Sequence, residues 1–260
     1  MLKTRIITAI IGIPLLLGLL YLGGIYSKVL FLVLGVLSLY EYFAMIKKKG
    51  IWPLYVPSYL LLLLLMLREQ ADLSIGFFVV LLLMVVIMVY KFPRFSIADL
   101  AFSLFGSVYF GYLLSFGIIL ANAENAFPFF VLCFLLTWST DIGGYVIGKT
   151  WGKTKLAVLL SPNKTWAGAL GGMIMAVVMA MIYNYFYAIG TSSPAYVLLL
   201  ACFASIAAQF GDLFISGIKR YCEVKDSGKI IPGHGGILDR FDSFLLVLPV
   251  VYFFLLFVVF

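Results

Sequence analysis

Long apolar segments recur along the whole chain and constrain its fold more than any other feature. Of its residues, 64% are hydrophobic and only 11% are charged, whereas a soluble globular domain has about 25% charged residues. Such a chain cannot cover a water-facing surface with polar groups. Apolar runs of about 20 residues are long enough to cross a bilayer as helices. We therefore predict an all-α, polytopic integral membrane protein.

The apolar runs predict nine transmembrane helices with a defined orientation. They lie at residues 6–24, 29–46, 52–67, 75–92, 97–121, 127–147, 166–189, 194–217 and 241–260. If the N-terminus is cytoplasmic, all of the 18 Lys and Arg residues except Lys28 and Arg68 fall on the cytoplasmic side. Cytoplasmic loops are generally rich in Lys and Arg. We therefore expect a multi-pass protein of the cell inner membrane whose C-terminus lies on the opposite side.

This topology also explains the net charge of +7. The basic residues follow the loops on one side of the membrane and do not alternate with exposed aromatic residues on a soluble face. No nucleic-acid partner is therefore expected. The three cysteines match no zinc pattern, and we interpret them as packing residues.

We divide the chain into three regions. Residues 1–95 form N-terminal transmembrane helices, residues 96–126 a middle helix, and residues 127–260 a C-terminal catalytic region with cytoplasmic loops 148–165 and 218–240. The middle helix and segment 75–92 have few polar residues, and Gly106, Gly111 and Gly117 are suited to close helix packing. A homodimer contact through this region is compatible with that pattern.

Polar side chains collect near the cytoplasmic ends of the last four predicted spans, beginning with Asp141. A carboxylate inside an apolar run needs a partner or a cavity, so Asp141 is either half of a structural ion pair or a functional ligand. Residues 143–150, GGYVIGKT, fit the P-loop pattern. That motif works only between a strand and a helix of an α/β domain. The four-residue spacing of Gly144, Gly148 and Gly152 instead indicates close helix packing.

The segment SPNKTW, residues 161–166, predicts a turn and then a helix that begins near Thr165 or Trp166. Lys164 then lies near a helix N-terminus, where backbone N–H groups and the helix dipole favour an anion. This arrangement suits a phosphate group. A plain interfacial lysine beside an interfacial tryptophan is the alternative interpretation.

The most polar part of the chain begins in the eighth predicted span. The spacing of Asp212, Ser216 and Lys219 places them near one helical face. The stretch KDSGKIIPGHGGILDRFD, residues 225–242, then contains the only histidine, His234, and several carboxylates and cations. Mg²⁺ is commonly held by one or two carboxylates and by substrate phosphates, and Lys and Arg neutralise the remaining phosphate charge. The pattern therefore favours metal-assisted transfer of a phosphoryl or nucleotidyl group.

Residues 216–242 resemble the signature of the phosphatidate cytidylyltransferase family, also called CDP-diacylglycerol synthases. The signature is S-x-x-K-R, four residues, K-D, a short spacer, H-G-G and D-R-x-D, and every element occurs here. The resemblance implies that CTP and phosphatidate react to give CDP-diacylglycerol and pyrophosphate in phospholipid biosynthesis. It further implies that CTP, phosphatidate and membrane lipid are the partners of the chain.

On this basis we assign roles to the polar residues as hypotheses. The predicted ligands of Mg²⁺, and of a second cation, are Asp141, Asp212, Asp239 and Asp242. The predicted substrate-binding residues are Asn163, Lys164, Lys219, Arg220, Lys225, His234 and Arg240. The predicted catalytic residues are Asp212, Asp239, Lys219 and Lys164. The glycines beside His234 are expected to allow unusual dihedral angles and close approach to a ligand.

Three alternatives and one unexplained residue remain at this stage. A transferase that joins a nucleotide-sugar phosphate to a polyprenyl phosphate, or a CTP-dependent lipid kinase, could also use carboxylates and Mg²⁺. A cation-coupled transporter could use Asp141 and Asp212, although transporters place their sites near the bilayer midplane. Glu41 lies in the second predicted span, where it either pairs with another helix or extends toward the lysines at positions 47–49.

Overall fold

The computed structural model describes residues 2–69, 73–187 and 193–258, and most of these residues are helical. The helices are α1 (Leu2–Leu22), α2 (Gly24–Lys47), α3 (Tyr55–Met66), α4 (Ser74–Tyr90), α5 (Ile97–Leu120), α6 (Ala126–Trp151), α7 (Trp166–Tyr187), α8 (Pro194–Tyr221) and α9 (Leu238–Val258). Two short strands, β1 (Lys155–Ala157) and β2 (Ser161–Thr165), lie between α6 and α7. The predicted all-helical class is confirmed.

Six of the helices in the described part are long and apolar enough to cross a membrane, namely α2, α5, α6, α7, α8 and α9. The apolar stretches of α1, α3 and α4 are shorter. The 12 residues of α3 span only about 18 Å at the helical rise per residue, against about 30 Å of hydrocarbon. The class of membrane protein is therefore confirmed, while nine crossings stay a prediction.

The chain forms two compact units. The first contains Met1–Ala123 and Tyr221–Asp239, and the second contains Glu124–Arg220 and Arg240–Phe260. The sequence division had grouped loop 218–240 with the C-terminal region, whereas most of that loop packs within the first unit.

Glycines of α5 allow the helices of the first unit to pack closely. A Cβ atom on Gly106 would meet the ring of Tyr42, and one on Gly111 would lie 3.0 Å from the carbonyl oxygen of Leu62. Gly117 packs in the same way against an aromatic ring of α2. These three glycines are therefore used inside the chain, which corrects the expectation that they are available for a contact between two copies. The homodimer itself stays a prediction.

In the second unit, α6 and α7 touch along a seam of glycines. A Cβ atom on Gly168 would lie 2.7 Å from the carbonyl oxygen of Gly144, and one on Gly172 would lie 2.6 Å from that of Thr140. Gly148 also packs against α7 at Gly168. The predicted close packing is confirmed, and residues 143–150 lie within α6 rather than in a P-loop.

A hairpin that the sequence did not predict precedes α7. In it β1 pairs antiparallel with β2, with Lys155 opposite Thr165 and Ala157 opposite Ser161. Segments this short show no hydrophobic period. Ser161 and Pro162 are residues common in turns, so the sequence predicted a turn where β2 lies. The predicted helix start is nevertheless confirmed, because α7 begins at Trp166.

Candidate active site

An ion pair joins α8 to the segment before α7. The Nζ atom of Lys164 lies 2.6 Å from Oδ2 of Asp212, and the two side chains are 25% and 27% exposed. One turn further along α8, Ser216 donates its hydroxyl proton to Oδ1 of Asp212 at 3.2 Å. Both carboxylate oxygens of Asp212 therefore have partners, and one partner is a cation that remains accessible to a ligand.

Backbone contacts fix Lys164 next to the N-terminus of α7. Thr165 is buried, and its Oγ1 accepts a hydrogen bond from the backbone N–H of Gly168 at 3.1 Å. The N–H of Trp166 donates to the carbonyl oxygen of Thr154 at 3.1 Å. Because Thr165 caps the helix, Lys164 lies just outside the positive end of its dipole. The predicted location of Lys164 is confirmed.

Gln209, which the sequence analysis missed, ties α8 to α7 close to Asp212. Its Nε2 donates to the carbonyl oxygen of Ala169 at 3.2 Å and to the hydroxyl oxygen of Ser205 at 3.3 Å. Gln209 precedes Asp212 by three residues, so this contact fixes the position of α8 along α7. A polar amide inside an apolar run was the available signal, and it called for a partner.

Two further carboxylates of the second unit interact electrostatically with this pair. Asp141 on α6 interacts electrostatically with Asp212 and Lys164. Asp242 on α9 interacts electrostatically with Asp212, Lys219 and Asp141. Its Oδ1 also accepts a hydrogen bond from the N–H of the next residue at 2.8 Å. The second unit therefore brings together three of the four predicted metal ligands and two of the predicted phosphate-binding lysines.

These carboxylates suit a metal that is completed by substrate. Among residues 2–69, 73–187 and 193–258, no group of three or more His, Cys, Asp and Glu side chains could hold one metal ion. Mg²⁺ commonly takes only one or two carboxylates and completes its octahedral shell with waters and phosphates. Carboxylate oxygens beside lysines therefore fit Mg²⁺ bound with a phosphate ligand, and they do not form a protein-only cage.

Asp239 lies in the first unit, where it organises the polar loop. Its Oδ2 accepts hydrogen bonds from the backbone N–H of Ser227 at 2.8 Å, the hydroxyl of Ser227 at 3.0 Å and the N–H of Gly236 at 3.0 Å. Asp239 therefore joins Ser227 to the residues just before α9. The role of Asp239 as a ligand stays a prediction.

Glu41 on α2 binds the same loop from the opposite end of the sequence. Its side chain is buried, and Oε1 accepts a hydrogen bond from Ile237 N–H at 2.9 Å. Oε2 accepts from Leu238 N–H and from the hydroxyl of Ser227, both at 2.9 Å. The expectation that Glu41 pairs with another element is confirmed, and its extension toward the lysines at positions 47–49 is wrong.

The glycines of the loop serve this contact and a tight turn. A Cβ atom on Gly228 or Gly236 would collide with the Glu41 carboxylate, so the loop can close over Glu41 only without those side chains. Gly233 has φ 77°, and His234 N–H donates to the carbonyl oxygen of Ile231 at 3.0 Å. Pro followed by a positive-φ glycine is typical of a type II turn. The predicted unusual dihedral angle is therefore confirmed.

The sequence as a whole matches a known family. Residues 3–258 match the cytidylyltransferase family. The chain belongs to this family. A protein of Bacillus subtilis (strain 168) named phosphatidate cytidylyltransferase is 35% identical over an alignment of 263 residues that covers 97% of each chain. Proteins of the same name from Staphylococcus haemolyticus (strain JCSC1435) and Staphylococcus aureus (strain COL) are 36% and 35% identical over 253 and 258 residues, covering 95% of this chain and 96% of theirs.

In this cytidylyltransferase, the remaining predicted residues lie in helix ends, in β2 and in the loop between α8 and α9. Arg220, at the end of α8, donates from Nε to the carbonyl oxygen of Leu160 at 3.3 Å. Asn163, Lys225 and Arg240 are exposed, while His234 is partly buried in the turn. Lys225, His234 and Asp239 belong to the first unit, and the other predicted site residues belong to the second. Substrate binding by these residues stays a prediction.

Proposed function

We propose that this chain is a phosphatidate cytidylyltransferase, which transfers the cytidylyl group of CTP to phosphatidate. The products are CDP-diacylglycerol, a precursor in phospholipid biosynthesis, and pyrophosphate. The proposal is supported by the name that relatives of nearly equal length share at 35% identity. The structural observation that carries it is the contact between Lys164, just before α7, and Asp212 on α8.

In the proposed reaction, a phosphate oxygen of phosphatidate attacks the α-phosphorus of CTP. The bond between this phosphorus and the bridging oxygen to the β-phosphate breaks, and pyrophosphate leaves with that oxygen. The nucleophile is already an anion, so no serine or cysteine nucleophile is required. Catalysis then consists of positioning the reactants and neutralising their charges.

Lys164 and Lys219 are the side chains proposed to neutralise phosphate charge. Lys164 Nζ lies 2.6 Å from Oδ2 of Asp212, so a phosphate that binds Lys164 replaces or shares that contact. The ammonium group of Lys164 is then paired with a carboxylate or a phosphate at every stage. This avoids the free-energy cost of a partly buried charge without a partner. Lys219, whose charge acts on Asp242, is suited to the same role two turns after Asp212 on α8.

We further propose that Mg²⁺, together with a second cation, binds at Asp141, Asp212 and Asp242, with Asp239 as the fourth predicted ligand. When bound, Mg²⁺ neutralises the negative charge of the triphosphate and of the leaving pyrophosphate. Asp212 also positions Lys164 through their direct contact.

We also propose nine crossings, a cytoplasmic N-terminus and an active site at the cytoplasmic face of the cell inner membrane. The distribution of Lys and Arg supports this orientation. The orientation of all later helices is the same whether the short helices α3 and α4 both cross or both do not. Lys28→Cys should react with an impermeant maleimide added to intact cells, and Lys153→Cys should react only after permeabilisation.

The reaction is tested with purified protein, phosphatidate, labelled CTP and Mg²⁺, with a lipid-soluble cytidine product as the readout. We expect product in the wild type and none after addition of EDTA. We expect Asp212→Asn to lower kcat by about 10²-fold or more, the typical effect of removing one electrostatic group from an active site. Lys164→Ala should raise the KM for a phosphate-bearing substrate and lower kcat.

The exposed carboxylate Glu124 provides the matched control, and Glu124→Gln should retain full activity. Product that forms at the wild-type rate in EDTA would exclude the metal. A folded protein in lipid that makes no product would exclude the reaction. Transport of an unchanged substrate in sealed vesicles would instead support the transporter alternative.

A further inference from the structure

The hairpin between α6 and α7, residues 153–165, exposes an apolar tip that no span explains. Its turn consists of Val158, Leu159 and Leu160, whose side chains are 61%, 90% and 37% exposed. Turns that face water are generally built from Gly, Pro, Asn, Asp and Ser. Three consecutive aliphatic residues at an exposed turn therefore indicate a surface that is not covered by water in the working protein.

The exposed tip belongs to a hairpin that strand pairing and a contact with α8 hold in place. The strands on either side pair from Lys155 with Thr165 to Ala157 with Ser161. The guanidinium of Arg220 also donates a hydrogen bond to the carbonyl oxygen of Leu160. The hairpin is thus attached at its base by strand pairing and near its tip by α8, with the side chain of Leu159 directed outward.

Exposed cationic and aromatic side chains flank the apolar tip in the sequence. Lys149, Lys153 and Lys155 are all exposed, and Trp151 and Trp166 are 72% and 57% exposed. Tryptophan is enriched at the headgroup level of membranes, and clustered lysines bind anionic phospholipid headgroups. An exposed aliphatic tip together with nearby lysines and tryptophans in the sequence therefore matches the combination of acyl chains and anionic headgroups at a membrane surface.

The attachment of the hairpin to two spans keeps the tip close to the membrane boundary. α6 ends at Trp151 and α7 begins at Trp166. Leu159 is seven residues from the nearer of these positions, Trp166. The five residues of β2 extend only about 17 Å. Interfacial elements bury their apolar face about 5–10 Å into the boundary between headgroups and acyl chains, which is within this reach.

We propose that the hairpin inserts Val158 and Leu159 into an anionic leaflet, while Lys149, Lys153 and Lys155 bind the headgroups. Leu160 packs against α8 at Gly217 and supports the tip. Phosphatidate is itself an anionic lipid, and Lys164 lies on the same hairpin. The hairpin then concentrates lipid substrate beside Lys164, a consequence that rests on the proposed function, whereas insertion of the tip does not.

Insertion is tested with a fluorescent nitrobenzoxadiazole label on Leu159→Cys in nanodiscs, with the three native cysteines replaced. We expect quenching by lipids that carry a nitroxide on the acyl chain and little quenching by iodide in solution. A label on Glu124→Cys, an exposed position outside the hairpin, serves as the control. A Leu159 label that iodide quenches and lipid nitroxides do not would place the tip in water and overturn the proposal. Protection from both quenchers would indicate a second copy or another protein, and would overturn it equally.

Substrate supply is tested with mixed micelles in which phosphatidate is diluted at constant bulk concentration. We expect Leu159→Ser to raise the KM for phosphatidate and to leave kcat and the KM for CTP unchanged. Each Lys→Gln change at Lys149, Lys153 or Lys155 should raise it by up to about fivefold, from the typical attraction of one basic residue to an anionic surface. Unchanged KM values with an inserted tip would refute the supply role. An inactive wild type would refute the proposed function, while the quenching result would still decide insertion.

Discussion

Replacement of Glu41 by alanine removes one carboxylate that accepts three hydrogen bonds from the polar loop. The donors are the N–H groups of Ile237 and Leu238 and the hydroxyl of Ser227. Ser227 also lies 3.0 Å from Oδ2 of Asp239, so its hydroxyl can turn to that acceptor. The two backbone N–H groups are then left without their carboxylate.

The magnitude follows from these two donors. A buried donor that loses its acceptor costs about 1–3 kcal/mol, so the pair costs about 2–6 kcal/mol. A whole domain is stable by only about 5–15 kcal/mol, and the donors lie at one loop. We therefore expect Glu41→Ala to open residues 225–238 locally, with a local opening equilibrium that rises about 30-fold or more.

Hydrogen exchange followed by mass spectrometry on the peptide that contains Ile237 and Leu238 measures this opening directly. Glu41→Gln should give an intermediate result, because an amide keeps one acceptor oxygen and turns an N–H donor toward the other donors. Glu124→Gln, an exposed carboxylate, should leave the exchange unchanged. If Glu41→Ala exchanged at the wild-type rate, the carboxylate would not hold the loop and the reasoning would fail.

Two further predictions concern stability. A Cβ atom on Gly172 would lie 2.6 Å from a backbone oxygen of α6, whereas the nearest neighbour of one on Gly144 would lie at 3.5 Å. Gly172→Ala should therefore lower the free energy of unfolding by about 1–3 kcal/mol in thermal melts, and Gly144→Ala should lower it by less. Outside the spans, Lys49 Nζ donates a hydrogen bond to Oε1 of Glu223 at 2.6 Å. This bond lowers the pKa of Glu223 below its usual 4.5 and raises the pKa of Lys49. The Glu223 contribution is present above the usual carboxyl range and is lost as pH falls through its folded pKa. Glu223→Gln should therefore remove a small, salt-screened acid dependence of stability, and a melt series across that pH range checks it.

Much of the fold could be predicted because membrane helices are marked by long apolar stretches of sequence. An apolar run of about 20 residues is a strong local signal. The glycine seam could also be predicted, since a four-residue spacing puts Gly144 and Gly148 on one helical face. The β1–β2 hairpin could not be predicted from the sequence, because its strands are too short to show a hydrophobic period and they form only by pairing with each other.

The partners of the polar residues were the least predictable part. Glu41 and Ser227 are 186 residues apart in sequence, so the apolar surroundings of Glu41 predicted that it needs a partner without indicating which. Lys164 and Asp212 were each singled out by local patterns, but their direct contact depends on how α7 and α8 pack. The glycines near His234 were expected to admit a ligand, whereas Gly236 admits the Glu41 side chain.

The start of α9 has a consequence for the selectivity of the loop. A helix N-terminus attracts phosphate through its unpaired N–H groups, and here those of Gly236, Ile237 and Leu238 all donate to carboxylates of the chain itself. Glu41 and Asp239 thus act as built-in competitors for any dissolved anion. A dissolved phosphate would therefore have to displace a carboxylate of the chain itself to bind these three N–H groups.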